Sequence, residues 1–442
     1  MLLARGYTLD RRAIQRLQEL GLSEVWLDYP GLESIGHYIN PQVFQARASL
    51  SKRVNSMLQA FEHDRHAKVG MAQYRAALQE LIDALTNDPV AAVYLDDLHL
   101  HDNPLLRHSS NTCFLSLLLG LKLQGYLVQQ RPRLSAEDAG RVLSLGLGAI
   151  LHDIGMRELH EAVRERWEAT RCEHDPAWRE HCQLGYRLVT GRVDPPAAAV
   201  VLHHHQYFDG SGFPTRMNEA EGRAEGMAGT RIHVFARIVA LADHFDELQH
   251  IDPEGPRVPT VRVMRQLLEP AMLRRFDPEV LRALFSVVPA YAPGSLVTLS
   301  NGRRGFVMDW KRNLPCRPRI AFVPRFSGDD AGTDAPDVIA DPRAMKHVRA
   351  AGTRAESDPD ERSVACATAV ARENSGASPR MKGRARTGAK PTAASAAEAP
   401  HPTPTASVDS LDLMQHPEMY VAEIDGIDVS DDEFRLPKGL CV

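Results

Sequence analysis

At 442 residues, with 43% hydrophobic and 25% charged side chains, the chain has the composition of a globular protein and the length of two or three domains. A net charge of −5 lacks the basic footprint of a dedicated nucleic-acid binder, and the longest apolar run, Phe114 to Leu121, is far short of the roughly 18 residues of a membrane span. The six cysteines (Cys113, Cys172, Cys182, Cys316, Cys366 and Cys441) form no CxxC pair, which argues against a disulfide framework and a thiolate zinc site; no secretory pattern precedes Asp10-Arg11-Arg12, so the expected location is the cytoplasm.

In chain order, residues 1–98 read as an N-terminal αβ/helical segment. Ile14, Leu17 and Leu20 space a helix that Gly21 stops, Val25 to Leu27 suggests a strand, and amphipathic helices follow over Pro41–Phe61, Ala72–Leu85 and Pro89–Leu98. Nothing there carries chemistry, so an adaptor or sensory cap is the expectation. Residues 99–290 read as all-helical. Asn103-Pro104, Asp175-Pro176 and Asp194-Pro195 each place a capping residue before a proline at the first helical position. Ser135 with Asp138 resembles a capping box for a helix running to Gly155, and Thr230 is expected to open another with a broad apolar face. Pro293-Gly294 marks a switch to a small β-module over 291–345, with strand-like runs at Leu296–Leu299, Gly305–Met308 and Ile320–Val323. Residues 346–408, poor in large apolar side chains, are expected to be disordered. In the tail, 409–442, Tyr420 to Leu436 adds a last strand or docks as a peptide.

Histidine carries the chemical signal. Twelve of the 19 fall between His101 and His250, the clustering expected of a metal site with nitrogen and oxygen ligands. Of four His-Asp pairs, only His152-Asp153 ends a strongly apolar helix and meets a stopping glycine at once. An imidazole and a carboxylate buried there need a cationic partner, although the pair alone reads equally well as structural. His203-His204-His205 ends the helix from Pro195 and runs into Asp209-Gly210-Ser211-Gly212-Phe213-Pro214. The histidines alone fit a polar helix end, while the glycines permit a tight turn whose amides approach an anion. Asp243, amid Leu241, Ala242 and Phe245, faces either solvent or a buried partner.

Together these features resemble the HD-GYP family, bacterial HD-superfamily phosphodiesterases of cyclic di-GMP. The likeness rests on His108, Leu151-His152-Asp153-Ile154-Gly155, His181 with Gly185, His204-His205 before Asp209-Gly210-Ser211-Gly212-Phe213-Pro214, Arg237-Ile238, and Asp243 with Asp246. It covers roughly residues 100–285. The resemblance implies a mainly α protein: a central all-helical HD-superfamily bundle with an N-terminal αβ/helical segment, a small C-terminal β-module and a disordered tail. It implies two divalent transition metal ions, Fe or Mn. His108, His152, Asp153 and Asp243 would hold one, and His181, His204 and His205 the other, with Asp153 bridging and His203 flanking.

The same resemblance makes His152 and Asp153 catalytic and sets Arg237, Gly210, Ser211 and Gly212 against substrate phosphates. Its expected reaction is hydrolysis of cyclic di-GMP to pGpG or GMP by a water activated between the ions. Diguanylate cyclase-type signalling proteins enter as partners, and a homodimer is compatible with it. Four positions depart from the family pattern. Met156 stands for a lysine, Gln206 for a glutamate, Phe213 for the signature tyrosine, and Pro104 for a glutamate that in some members supports a third metal. Reduced turnover and two ions rather than three are therefore expected. The alternatives are an HD phosphohydrolase of another nucleotide or phosphoester, and a catalytically degenerate binding protein.

Overall fold

The computed structural model describes Gln15 and residues 32–38, 40–63, 71–87, 104–218, 223–252, 255–322 and 409–440. The helix expected over 10–20, the strand at 25–27, the helix from Pro89 and the disordered stretch lie outside the described residues. Apart from Gln15, the described residues belong to one compact unit, 32–328 with 408–442.

Two N-terminal helices, α1 (Pro41–His63) and α2 (Ala72–Asn87), pack on each other and bury Leu78, Leu81 and Leu85. The bundle follows as α3 (Pro104–Lys122), α4 (Gln124–Gln130), α5 (Ala136–Gly140), α6 (Leu143–Leu151), α7 (Glu161–Thr170), α8 (Pro176–Arg179), α9 (His181–Val189), α10 (Pro195–His203), α11 (Val234–Gln249), α12 (Thr260–Leu267), α13 (Pro270–Arg275) and α14 (Pro278–Val287). At its centre α3, α6, α10 and α11 pack together. Residues 111–120 of α3 and 234–246 of α11 are buried without a break, so these helices are enclosed on every side, and the polar residues among them, Asn111, Arg237, Asp243 and Asp246, must find partners inside. Among the described residues no single helix is long and apolar enough to cross a membrane.

Helices open at the prolines that follow Asp175 and Asp194, although of these two only Asp175 makes a capping bond; Asn103 lies outside the described residues. Asp175 accepts the Ala177 amide at 3.0 Å, and α10 opens at Pro195 behind Asp194. Elsewhere the sequence reading needs correcting. Ser135 does cap α5, accepting the Asp138 amide at 3.0 Å, but that helix ends at Gly140. Arg141 is extended, and α6 starts afresh at Leu143. The break lets α6 enter the core in a new direction, where Gly148 lies so close to Val200 of α10 that a Cβ would sit 2.7 Å from it. The helix expected from Thr230 begins at Val234, with His233 Nδ1 accepting the Phe235 amide at 3.1 Å. The expected all-helical region also holds a hairpin, β1 (Arg216–Asn218) with β2 (Arg223–Glu225).

After the bundle come β3 (Leu296–Leu299), β4 (Arg304–Asp309) and β5 (Arg319–Phe322), close to the three runs read from sequence. The tail adds β6 (Asp409–Asp412), β7 (Val421–Ile424) and β8 (Ile427–Asp428), giving one antiparallel sheet in the order β6-β5-β4-β3-β7-β8. The tail thus supplies half the strands instead of one. It is tied to the bundle as well: buried Asp432 accepts from Arg262 and Arg265 of α12 at 2.8 and 3.1 Å, and Phe434 packs on Phe285 of α14. The result is a mainly α bundle with a small C-terminal antiparallel sheet.

Candidate metal centre

Seven side chains from separate stretches meet at the C-terminal ends of α6 and α10. His152 closes α6 and His204 closes α10, each in helical conformation just as its helix runs out. Asp153 starts a short 3-10 turn over Ile154–Glu158, and His181 is the first residue of α9. His108 comes from the first turns of α3, and Asp243 from the middle of α11.

Two glycines explain how Asp153 reaches His181. A Cβ on Gly155 would lie 2.0 Å from the His181 carbonyl and 2.5 Å from the Gly185 amide, and one on Gly185 would lie 2.9 Å from Val201. The 3-10 turn therefore rests backbone to backbone on α9, and the α9 backbone at Gly185 rests on the Val201 side chain of α10. The spacing of Gly155, His181 and Gly185 is a packing device as much as a motif.

The donors form two halves. In the first, His108 Nε2 is 3.1 Å from His152 Nε2 and 3.0 Å from Asp243 Oδ1, and His152 Nε2 is 3.5 Å from that same oxygen. In the second, His181 Nε2 is 3.2 Å from His204 Nε2, with His205 beside them, its Nδ1 3.9 Å from Asp243 Oδ2. Asp153 stands between. Its Oδ2 is 3.5 Å from His152 Nε2 and 3.8 Å from His108 Nε2, and its Oδ1 is 3.5 Å from both His181 Nε2 and His204 Nε2.

Ring tautomers follow from the second partners. His152, His181 and His204 each donate Nδ1–H to the carbonyl three residues back: Ala149 at 2.7 Å, Trp178 at 2.7 Å and Val201 at 3.0 Å. His108 donates Nδ1–H to Asp246 Oδ2 at 2.7 Å, and Asn111 holds the other Asp246 oxygen at 2.9 Å. The Nε2 lone pairs are thereby turned towards one another, an arrangement that repels unless a cation lies among them. Two ligands about 2.0–2.1 Å from one ion lie about 2.9–3.4 Å apart in octahedral or tetrahedral geometry. The 3.0–3.2 Å spacings within each half fit that requirement, and the 3.5 Å ones lie just beyond it.

The two halves differ electrically. Burial works against protonating His108, but its hydrogen bonds to Asp243 and Asp246 prevail and raise it well above the usual imidazole range. His152 is raised too, its burial outweighed by Asp153 and Asp243. On the other side burial pushes His181 down to about 4, and burial with His204 pushes His205 well below its usual range. Burial also opposes ionisation of Asp153, yet His152, His204 and His181 keep its carboxyl far below the ordinary carboxylate range. The first half thus attracts positive charge, while His181 and His205 on the other side present neutral rings with lone pairs available.

Three sequence-based assignments change. The donor set read as nitrogen and oxygen alone has a sulfur beside it: buried Cys182 Sγ lies 3.4 Å from His181 Nε2. Arg237, expected at the substrate phosphates, is 3% exposed and fully engaged: it pairs with Asp277, donates to Tyr126 and Gln130 at 2.7 Å each, and donates to the Ile232 carbonyl at 3.1 Å. Its guanidinium serves the α11–α14 packing. The turn at Gly210, Ser211 and Gly212 spends two of its amides internally, Gly210 donating to Tyr207 O and Ser211 to Asp209 Oδ1, and the following residue, Phe213, donates to His205 O. Gly212 is required by close approach, since a Cβ there would lie 2.2 Å from the His205 carbonyl. The turn presses Phe213 onto the His205 ring, 4.7 Å between centroids, so it orients a ligand candidate.

The departures from the family pattern have local explanations. Met156 packs with Leu159, Trp167, Trp178 and Phe213, an apolar wall whose Trp178 also touches His181 and His205. Gln206 clamps the hairpin loop, donating to Pro214 O at 2.6 Å and accepting the Met227 amide at 2.7 Å. His203 lies outside the cluster and lines a surface groove with Gln183, Tyr186, Arg187 and Thr215.

Residues 133–280 match the HD domain family. The chain is 26% identical over 346 residues to a cyclic di-GMP phosphodiesterase of Pseudomonas aeruginosa, covering 71% of this chain and 77% of that protein. It is 30% identical over 161 residues to a cyclic di-GMP phosphodiesterase response regulator of Xanthomonas campestris, covering 36% of this chain and 39% of that one. A solved HDG"Y"P protein from Bdellovibrio bacteriovorus is similar with a TM-score of 0.40 at 14% identity, covering 57% of this chain and 76% of that one. The sequence similarities bear out the family resemblance read from the motifs.

Proposed function

Because this chain carries an HD domain, we propose that it is a metal-dependent phosphodiesterase that hydrolyses cyclic di-GMP to pGpG and onward to GMP. One observation carries the reading: Asp153 directs one oxygen to the His108–His152 pair and the other to the His181–His204 pair. That is the disposition of a carboxylate bridging two ions. In the proposed assignment His108, His152, Asp153 and Asp243 hold one ion and Asp153, His181, His204 and His205 the other. Iron or manganese suits the nitrogen–oxygen majority. Bound there, two divalent ions would polarise the phosphodiester and supply a hydroxide nucleophile at neutral pH.

The chain's own groups set the stage. Carbonyls of Ala149, Trp178 and Val201 hold three rings with their Nε2 atoms inward. Asp246 does the same for His108 and balances a positive charge on that side. Trp178, Trp167 and Phe213 close one flank against water. Met156 lends that flank apolar surface where a cation would have met a phosphate. One charge-assisted contact is worth about 1.5–3 kcal/mol, so turnover is expected to fall by about one to two orders of magnitude relative to a site with lysine there. The similarity to proteins named cyclic di-GMP phosphodiesterases supports this substrate.

The test is incubation of the chain with cyclic di-GMP and Mn²⁺ or anaerobic Fe²⁺, followed by separation of nucleotides. Appearance of pGpG and GMP is the expected result. A fully metal-loaded chain that leaves cyclic di-GMP intact overturns the assignment. Cleavage of a different phosphoester by that same chain would move it to another substrate.

A further inference from the structure

Directly after Asp243, and one turn on, α11 carries a second group of chemistry-bearing side chains, His244 and Glu247. His244 is 7% exposed, and neither of its ring nitrogens has a hydrogen-bond partner. A buried imidazole normally satisfies at least one nitrogen, and leaving both unmet costs stability. Its Nδ1 stands 3.8 Å from Glu247 Oε2, too far for a hydrogen bond, and its ring packs on Phe276. From the loop before α8, Glu173 completes the group: one donor atom each from Glu173, His244 and Glu247 lies within 4.8 Å of the others.

From this geometry we propose that Glu173, His244 and Glu247 bind a divalent cation additional to the centre around Asp153. The donor chemistry, one imidazole nitrogen and two carboxylate oxygens, suits Mn²⁺, Fe²⁺ or Zn²⁺. The unsatisfied nitrogens give His244 its reason to ligate, and the two carboxylates offset the ion's charge. Arg275 sits at the edge, donating to Glu173 Oε2 at 2.7 Å and lying over the Tyr207 ring, while Tyr207 OH reaches the same oxygen at 3.3 Å. These contacts fix the orientation of Glu173 through one oxygen and leave Oε1 for a ligand. Both carboxylates are about a quarter exposed, Glu247 at 26% and Glu173 at 26%, which provides the entry path that a buried histidine alone lacks. None of the three belongs to the ligand set proposed around Asp153.

The experiment is metal stoichiometry on the full chain, stripped with chelator, reloaded with Mn²⁺, desalted and assayed by atomic emission. The wild type should retain about three equivalents, and His244→Phe and Glu247→Gln should each retain about two. His244→Phe keeps an aromatic against Phe276, and Glu247→Gln leaves the ring in place, so agreement between them excludes misfolding as the cause. If the wild type and both variants all hold about two equivalents, the additional site does not exist and His244 is met by water, while the centre around Asp153 stands. If an equivalent sensitive to His244→Phe survives in Asp153→Asn, which loses the others, the two sites are separate as proposed. A wild type that binds no ion removes both.

Discussion

Gly155→Ala tests whether backbone packing sets the spacing of the metal centre. The new methyl would sit 2.0 Å from the His181 carbonyl and 2.5 Å from the Gly185 amide, both main-chain atoms of α9 that cannot rotate aside. Ordinary contact needs about 3.4 Å, so the 3-10 turn and α9 must separate by about 1.4 Å. Asp153 precedes this turn and His181 opens α9, so their 3.5 Å approach would widen well beyond the span two ligands of one ion tolerate. Overpacking of this kind costs about 1–3 kcal/mol, and contact with main chain on both sides puts the expectation at the upper end. The assay pairs urea unfolding of the metal-free protein with calorimetric Mn²⁺ titration. The midpoint should fall, and the ion held by His181, His204 and His205 should weaken by about 10–100-fold, the loss usual for a displaced supporting shell, with the His108 side less affected. A variant whose stability stays within about 0.5 kcal/mol of wild type, with both affinities unchanged, would refute the argument.

Asp153→Asn should lose bound metal and phosphodiesterase activity together; retention of both ions would remove the bridging role. Met156→Lys should raise turnover on cyclic di-GMP, and an unchanged or lower rate would place the phosphate elsewhere. Arg237→Met leaves Asp277 buried without its partner and should cost about 3–5 kcal/mol in urea unfolding with KM unmoved; a raised KM at unchanged stability would return Arg237 to the substrate. His233 has its imidazole pushed down to about 4 by burial, with Arg131 and Arg237 adding to the effect. The unfolded chain then takes up that proton first as pH falls. Its contribution is full above about 6.5 and lost towards about 4. His233→Asn, which caps α11 without titrating, should flatten the urea midpoint against pH over that window; equal slopes in both proteins would contradict it.

The seven candidate ligands could be singled out only in combination: His152-Asp153, the histidine triplet and Asp243 each admit a structural reading alone, and His108 and His181 enter through the family resemblance. The helices of Asp175-Pro176 and Asp194-Pro195 were legible for a local reason, a cap-type residue followed by a ring that fixes φ. What escaped depends on partners distant in sequence. Arg237 reads as a phosphate contact until Asp277, forty residues on, is seen to claim it. The strands from 409 onward pair with β5 and β3 across about 90 and 120 residues of sequence, and no pattern within them announces that register. His160 and His233 cap helices through Nδ1, a role that histidine's preferences do not suggest. Cys182 looked like one scattered cysteine because its neighbour His204 comes from another helix.

Three of the candidate ligand rings lean through Nδ1 on main-chain carbonyls three residues back, at Ala149, Trp178 and Val201. A carbonyl is the same whatever residue bears it, so no ordinary substitution at those three positions deletes the acceptor itself. His108 alone relies on a side chain, Asp246, with Asn111 behind it. Drift in this sequence therefore has one soft target behind the ligands: saturation mutagenesis should find its inactivating hits in that outer layer concentrated at Asp246 and Asn111, and few at the three carbonyl positions beyond those that spoil packing.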